Sequence, residues 1–162
     1  MKVLRYGIIT ASDRSARGER PDESGPALAA IVRSAGGSVE RQVVLPDDRR
    51  LLAQKMIEWS EDGGIDILLV TGGTGFGPRD VTPEATREVI ERETPGLVEA
   101  MRAFSLQLTP FAMLSRSVAG IRGRTLIIDL PGSPKGAVEN LEVVLPVLEH
   151  AVKLLKDEHA GH

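Results

Sequence analysis

The chain has 162 residues, 41% of them hydrophobic and 27% charged, a soluble globular profile of a size that buries a core without cross-links. A balance of 20 basic and 23 acidic residues (net charge −3), with aromatics at 3%, supplies neither the field nor the stacking surface that nucleic acid needs. There is no cysteine, which excludes disulfides, thiolate metal sites and a cysteine nucleophile, and no apolar run approaches the roughly 18 residues of a membrane span.

Residues 4–12, LRYGIITAS, have the branched and apolar content of a strand. The run is too short and interrupted for a signal peptide, and the expected location is cytoplasmic. Residues 23–37 follow as a helix, with Leu28, Ile31, Val32 and Ala35 at helical spacing and Gly36-Gly37 ending it. A second strand is expected at 38–46 and a second helix at 47–64, with Leu52, Met56 and Trp59 on one face. The third strand, 65–73, is apolar without alternation, as in a parallel strand buried on both faces.

Beyond the glycine loop, Thr82 and Pro83 read as the cap and first residue of a helix, and 96–108 as another helix. Residues 111–123 and 124–132 read as two more strands. A long helix over 135–155 carries one stripe from Val138 to Leu155, and Pro146 is expected to kink or weaken it. One domain over residues 1–156 and a loose tail over 157–162 are expected. The order β-α-β-α-β-α-α-β-β-α predicts a three-layer α/β/α fold of Rossmann-like type, with a mostly parallel sheet. Ligands of such sheets bind beyond the carboxyl ends of the strands. That rule selects ASDR, PDD, TGGTG and LPGSP.

The glycine loop TGGTGFGPRD (71–80) lacks the lysine and hydroxyl of a P-loop. Pro78 also stands where a dinucleotide fingerprint needs its third glycine. Its glycines still let backbone N–H groups approach an anion closely. Asp80 is either a turn-stabilising side chain or a magnesium ligand beside bound phosphates. Arg79 either clamps a phosphate or faces water. Asp47 is either a helix N-cap or, if its strand end meets the glycine loop, the second carboxylate of a metal-phosphate site. Ser133 reads as the cap of the last helix, whose positive end suits an anionic ligand. Ser12 and Asp13 open a long polar loop that lines a pocket or faces solvent. His150, His159 and His162 all lie in the last helix or tail, away from every strand end, which argues against zinc hydrolase and Ser-His-Asp chemistry.

TGGTGFGPRDVTPEAT closely resembles the signature of the MogA/MoaB family of molybdenum cofactor biosynthesis. ASDR, LPDD, MLSRSVAG (113–120) and LIIDLPGSPKG (126–136) resemble further family blocks in the expected order and span nearly the whole chain. The resemblance implies a molybdopterin-binding fold, a homo-oligomer (a trimer or a dimer of trimers) and a partnership with other molybdenum cofactor enzymes. It implies Mg-ATP-dependent adenylylation of molybdopterin, with Mg2+ as cofactor and ATP as co-substrate. The rival is a MoaB-type protein that binds molybdopterin without catalysis. By motif the family's two aspartates fall on Asp47 and Asp80, as catalytic groups and as ligands of magnesium, directly or through water. Asp48 adjoins Asp47, and the motif leaves open which of the two is meant. Gly72, Gly73, Thr74, Gly75, Ser115, Gly132 and Ser133 fall in the substrate pocket, with Ser12 and Asp13 lining it.

Overall fold

The computed structural model describes residues 2–158. One six-stranded sheet has the order β2-β1-β3-β6-β5-β4. Its strands are β1 (Arg5–Ala11), β2 (Ser38–Leu45), β3 (Ile67–Thr71), β4 (Arg92–Glu93), β5 (Ala119–Arg122) and β6 (Thr125–Leu130). The four strands β2, β1, β3 and β6 run parallel. β5 and β4 are antiparallel additions at one edge.

Alternate residues of each central strand face opposite layers. Ile8, Ile67, Leu69, Leu126 and Ile128 pack with Leu28, Met101, Leu141 and Leu148. These come from α2 (Ser24–Ser34), α5 (Pro95–Leu106) and α6 (Pro134–Leu155). Ile9, Leu68, Val70 and Ile127 pack with Leu52, Met56, Trp59 and Val89 on the other face. These come from α3 (Arg49–Glu61) and α4 (Thr82–Val89). The expected three-layer α/β/α arrangement is therefore present, and β3, buried at every residue, is sealed on both faces. Truncating a fully buried side chain such as Leu69 to alanine costs about 2–5 kcal/mol.

Several local expectations differ. A one-turn helix, α1 (Asp13–Ala16), stands where a loop is expected, capped by the Ser12 hydroxyl on the Ser15 N–H. Residues 111–123 are not one strand. Thr109 caps a 3₁₀ helix, Pro110–Leu114, whose Phe111 and Met113 are exposed. The chain then runs extended to the four-residue β5. Proline and a capping threonine favour a tight helical turn, and the apolar residues here do not enter the core. α6 runs through Pro146 to Leu155, the span expected for it. Pro146 and Glu142, one turn before it, are both exposed, so the missing hydrogen bond lies on the solvent side. At the far end, Glu158 N–H bonds to the Lys153 carbonyl. The rest of the tail, 159–162, lies outside the described residues.

The strand order sets the site. From β1 the chain steps outward to β2, then returns to the other side of β1 as β3. Loops leaving β1 and β3 part there and open a crevice at the carboxyl ends of the strands.

Candidate functional site

The glycine loop begins with two residues in the left-handed region, Gly72 at φ 97 and Gly73 at φ 65. A Cβ on Gly72 would lie 2.3 Å from the Ala11 carbonyl oxygen, and one on Gly73 would lie 2.6 Å from Thr82 Oγ1 and 2.9 Å from Asp47 Oδ1. Only glycine fits either place. Thr82 does not cap α4 as expected. Val81 occupies the cap position, without a side-chain bond. The Thr82 hydroxyl instead donates to the Gly72 carbonyl at 2.7 Å, and the Thr82 N–H donates to the Gly73 carbonyl at 3.1 Å. The buried threonine thus ties the loop to α4. Further along, Asp80 Oδ2 accepts from the Gly77 N–H at 2.9 Å, the turn-stabilising role considered for it.

Asp48, not Asp47, caps α3: its carboxylate accepts from the Leu51 N–H. That frees Asp47 for the crevice. Asp47 Oδ2 accepts from the Asp13 N–H at 3.0 Å, and Asp13 Oδ1 accepts from the Asp47 N–H at 2.9 Å. Asp47 Oδ1 is buried and has no hydrogen-bond partner. Burial pushes the Asp47 carboxyl above its ordinary range, and the nearby charges of Asp13 and Asp80 push the same way. The Arg79 guanidinium holds the Asp13 carboxyl below its ordinary range through two hydrogen bonds, at 3.0 and 3.1 Å. Asp13 is thus paired directly with Arg79, whereas Asp47 feels that charge only from a distance and keeps Oδ1 unpartnered.

These groups line one cleft of about 680 Å3. Of the residues expected at the site, it gathers Ser12, Asp13, Asp47, Gly72, Gly73, Asp80, Gly132 and Ser133. Ser133 caps α6 as expected, accepting from the Gly136 N–H, so the positive end of that helix stands at the cleft. Thr74, Gly75 and Ser115 lie elsewhere, in a second pocket of about 320 Å3 with Met101, Phe111 and Leu114. Ser133 lines both pockets. Arg14, which follows Ser12 and Asp13 in the expected polar loop, lines the cleft as well, and so do Arg20, Asp22 and Ser24, which were not singled out from the sequence. The polarity of residues 15–23 pointed to Arg20 and Asp22, and nothing pointed to Ser24. The structure folds this stretch over the cleft by two bonds, Thr10 hydroxyl to Asp22 and Ser24 hydroxyl to the Gly132 carbonyl.

Among the described residues no group of three or more histidine, cysteine or acidic side chains is placed to hold a metal. His150 is exposed on α6, and His159 and His162 lie outside the described residues. No helix among the described residues is long and apolar enough to cross a membrane.

Residues 7–150 match the family model described as a probable molybdopterin binding domain. The chain belongs to that family. It is 38% identical to the molybdopterin adenylyltransferase of Helicobacter pylori (strain J99), over 96% of this chain and 89% of that one. It is 44% identical to the gephyrin of Dictyostelium discoideum, over 94% of this chain. The chain spans only 22% of that gephyrin and 26% of the Drosophila melanogaster protein cinnamon, a molybdenum cofactor synthesis protein. Among solved structures, the molybdopterin biosynthesis enzyme MoaB of Thermus thermophilus superposes with a TM-score of 0.90 at 49% identity, over 96% of this chain and 98% of that one. A MogA structure superposes with a TM-score of 0.87 at 39% identity, over 93% and 99%. The molybdopterin-binding domain thus accounts for the mostly parallel sheet and for the five sequence blocks, which lie at the cleft and the second pocket.

Proposed function

We propose that the protein adenylylates molybdopterin with Mg-ATP in molybdenum cofactor biosynthesis. An oxygen of the molybdopterin phosphate attacks the α-phosphorus of ATP. The new P–O bond forms as the α–β bridging bond breaks, and pyrophosphate leaves with the electron pair. The observation that carries this reading is Asp47 Oδ1, buried and unpartnered in the cleft that Asp80 also lines.

The residues fit magnesium. It commonly binds through one or two carboxylates, keeps several waters and completes its shell with phosphate oxygens, so a cage of three acids is not required. Asp47 and Asp80 would hold it, directly or through water. Magnesium supplies charge neutralisation where two polyanions must approach and where the transition state gains charge. The chain's own groups act in the same direction. Arg14 and Arg20 bring cations to the cleft, and α6 brings its positive end. Asp13 positions Asp47 through its main chain. The second pocket suits a flat heterocycle: Met101, Phe111 and Leu114 offer apolar surface, and Ser115, Ser133 and Asn140 offer hydrogen bonds. A pterin seated there would direct its phosphate past Ser133 into the cleft.

Incubation of the pure protein with molybdopterin, ATP and magnesium tests the reading, with adenylylated pterin detected by mass spectrometry. Its absence, under conditions in which the Helicobacter pylori relative turns over, overturns it. A second reading is supported by the likeness to MoaB structures. The same two pockets would hold molybdopterin and pass it to other cofactor enzymes without catalysis, and tight pterin binding without ATP-dependent product would favour it. A homo-oligomer, a trimer or dimer of trimers, accords with the exposed Leu108, Phe111 and Met113, which follow one another in the chain from the end of α5 through the 3₁₀ helix. A cytoplasmic location completes the reading.

A further inference from the structure

Arg116 lies in the extended segment between the 3₁₀ helix and β5, outside both groups of expected site residues. Its Nε donates to the Gly75 carbonyl at 2.7 Å, and its Nη2 donates to the Asp80 carbonyl at 2.9 Å. Its backbone N–H donates to the Thr74 carbonyl at 2.8 Å. One residue therefore grips both ends of the 74–80 segment. The guanidinium is itself aimed by Glu84, in the first turn of α4, whose carboxylate accepts from Nη1 at 2.7 Å and from Nη2 at 3.2 Å.

The span between the two gripped ends has few other ties. Phe76 is 68% exposed, and Gly77, Pro78 and Arg79 are also exposed. Within the span, the Gly77 N–H meets the Asp80 carboxylate, the Asp80 N–H donates to the Gly77 carbonyl at 3.0 Å, and Arg79 reaches Asp13. None of these contacts involves Gly75 or fixes its distance from Asp80. The planar guanidinium does, because its donors leave in fixed directions. A lysine ammonium is a single point donor on a flexible stem and cannot span two carbonyls in that way. Moreover, Arg116 follows Ser115, which lines the second pocket, so the clamp joins that pocket to the main chain of Asp80.

We propose that Arg116 is a positioning residue that sets Asp80 in the adenylylation site by clamping the Gly75 and Asp80 carbonyls. It acts through the loop and touches no reacting atom. The proposal rests on the functional reading above for its effect on turnover, but the clamp itself has an independent readout. Glu84→Gln keeps both carbonyl bonds, whereas Arg116→Lys keeps the charge and loses one or both.

The experiment compares Arg116→Lys, Arg116→Ala and Glu84→Gln by amide hydrogen exchange and by steady-state kinetics. Both Arg116 variants are expected to exchange faster at residues 75–80 while the amides of β3 and β6 keep their protection. Both are expected to lose about 100-fold in kcat, the scale of a small misplacement of a catalytic group, with molybdopterin affinity retained. Glu84→Gln is expected to keep most of the turnover. Unchanged exchange at 75–80 in Arg116→Ala, or wild-type kcat in Arg116→Lys, overturns the proposal. If the wild-type chain makes no adenylylated product, the functional reading fails by itself, and the exchange data still decide for or against the clamp.

Discussion

Asp13 and Asp47 hold each other by their main chains: each backbone N–H donates to the other's carboxylate, at 3.0 and 2.9 Å. The exchange joins the loops after β1 and β2 and leaves one buried oxygen, Asp47 Oδ1, without a partner. A buried anionic oxygen kept unpaired is costly unless a cation or ligand meets it.

Asp47→Asn retains an acceptor for the Asp13 N–H but removes the charge. Turnover should fall by about 100-fold or more, as when one electrostatic group is lost from a preorganised site, with little change in pterin binding. Asp48→Asn should leave turnover unchanged, because asparagine caps a helix as well as aspartate. Steady-state rates for the two variants distinguish the neighbouring carboxylates. Equal losses would contradict the assignment of Asp47.

The two left-handed glycines should differ in how badly they tolerate alanine. At Gly72 the new methyl meets a backbone oxygen of β1, which cannot move without disturbing the sheet. At Gly73 it meets the Thr82 hydroxyl and the Asp47 carboxylate, which are side-chain atoms. Both variants carry left-handed strain of about 1–2 kcal/mol. Gly72→Ala should lose more stability, and Gly73→Ala should lose turnover by displacing Asp47. Denaturant midpoints and rates for the pair test the contrast.

Arg79 is exposed and pairs with Asp13, which lines the cleft. Exposed pairs contribute little to stability, so Arg79→Ala should leave the unfolding midpoint unchanged. Guanidinium forks bind phosphate as readily as carboxylate. If Arg79 transfers from Asp13 to an incoming phosphate, KM should rise about tenfold, the scale of one charge-assisted hydrogen bond. An unchanged KM assigns Arg79 to holding Asp13 alone.

Asp129 on β6 is fully buried, and burial pushes its carboxyl up to about 8. Bonds from the Thr86 hydroxyl at 2.6 Å and the Val118 N–H at 3.0 Å offset this only in part. In the unfolded chain the group titrates near about 3.9. Between those values the folded state keeps a proton that the unfolded state has released. Stability from this group is therefore lost progressively as pH rises from about 4 to 8, and the loss is complete above that. Asp129→Asn can accept from Val118 and donate to Thr86, and should flatten this slope. Urea unfolding at a series of pH values measures it. A slope equal to that of the wild type would place the titration elsewhere.

Much of this was legible along the chain. Strands such as Ile67–Thr71 and helices such as Pro134–Leu155 announce themselves by apolar content, period and flanking glycine or proline. The errors fell where local signals competed. Thr82-Pro83 has the form of a cap, yet the hydroxyl serves a loop carbonyl ten residues back in the chain. Residues 111–114 are apolar enough for a strand, yet Thr109 and Pro110 start a 3₁₀ turn that leaves Phe111 75% exposed.

The sequence by itself determined the layer architecture, the family and the set of strand-end blocks, because periodicity, capping and glycine placement act over a few neighbouring residues. Only the tertiary structure decided which residues meet. It separated Asp47 from Asp48 by giving the cap to one and the cleft to the other. It placed Ser115 and Thr74 in a different pocket from Asp80. It also brought Arg116 back to the loop it grips, 36 residues from Asp80. Such contacts depend on the reversal of strand order at β1 and on packing between distant segments, which local sequence pattern does not encode.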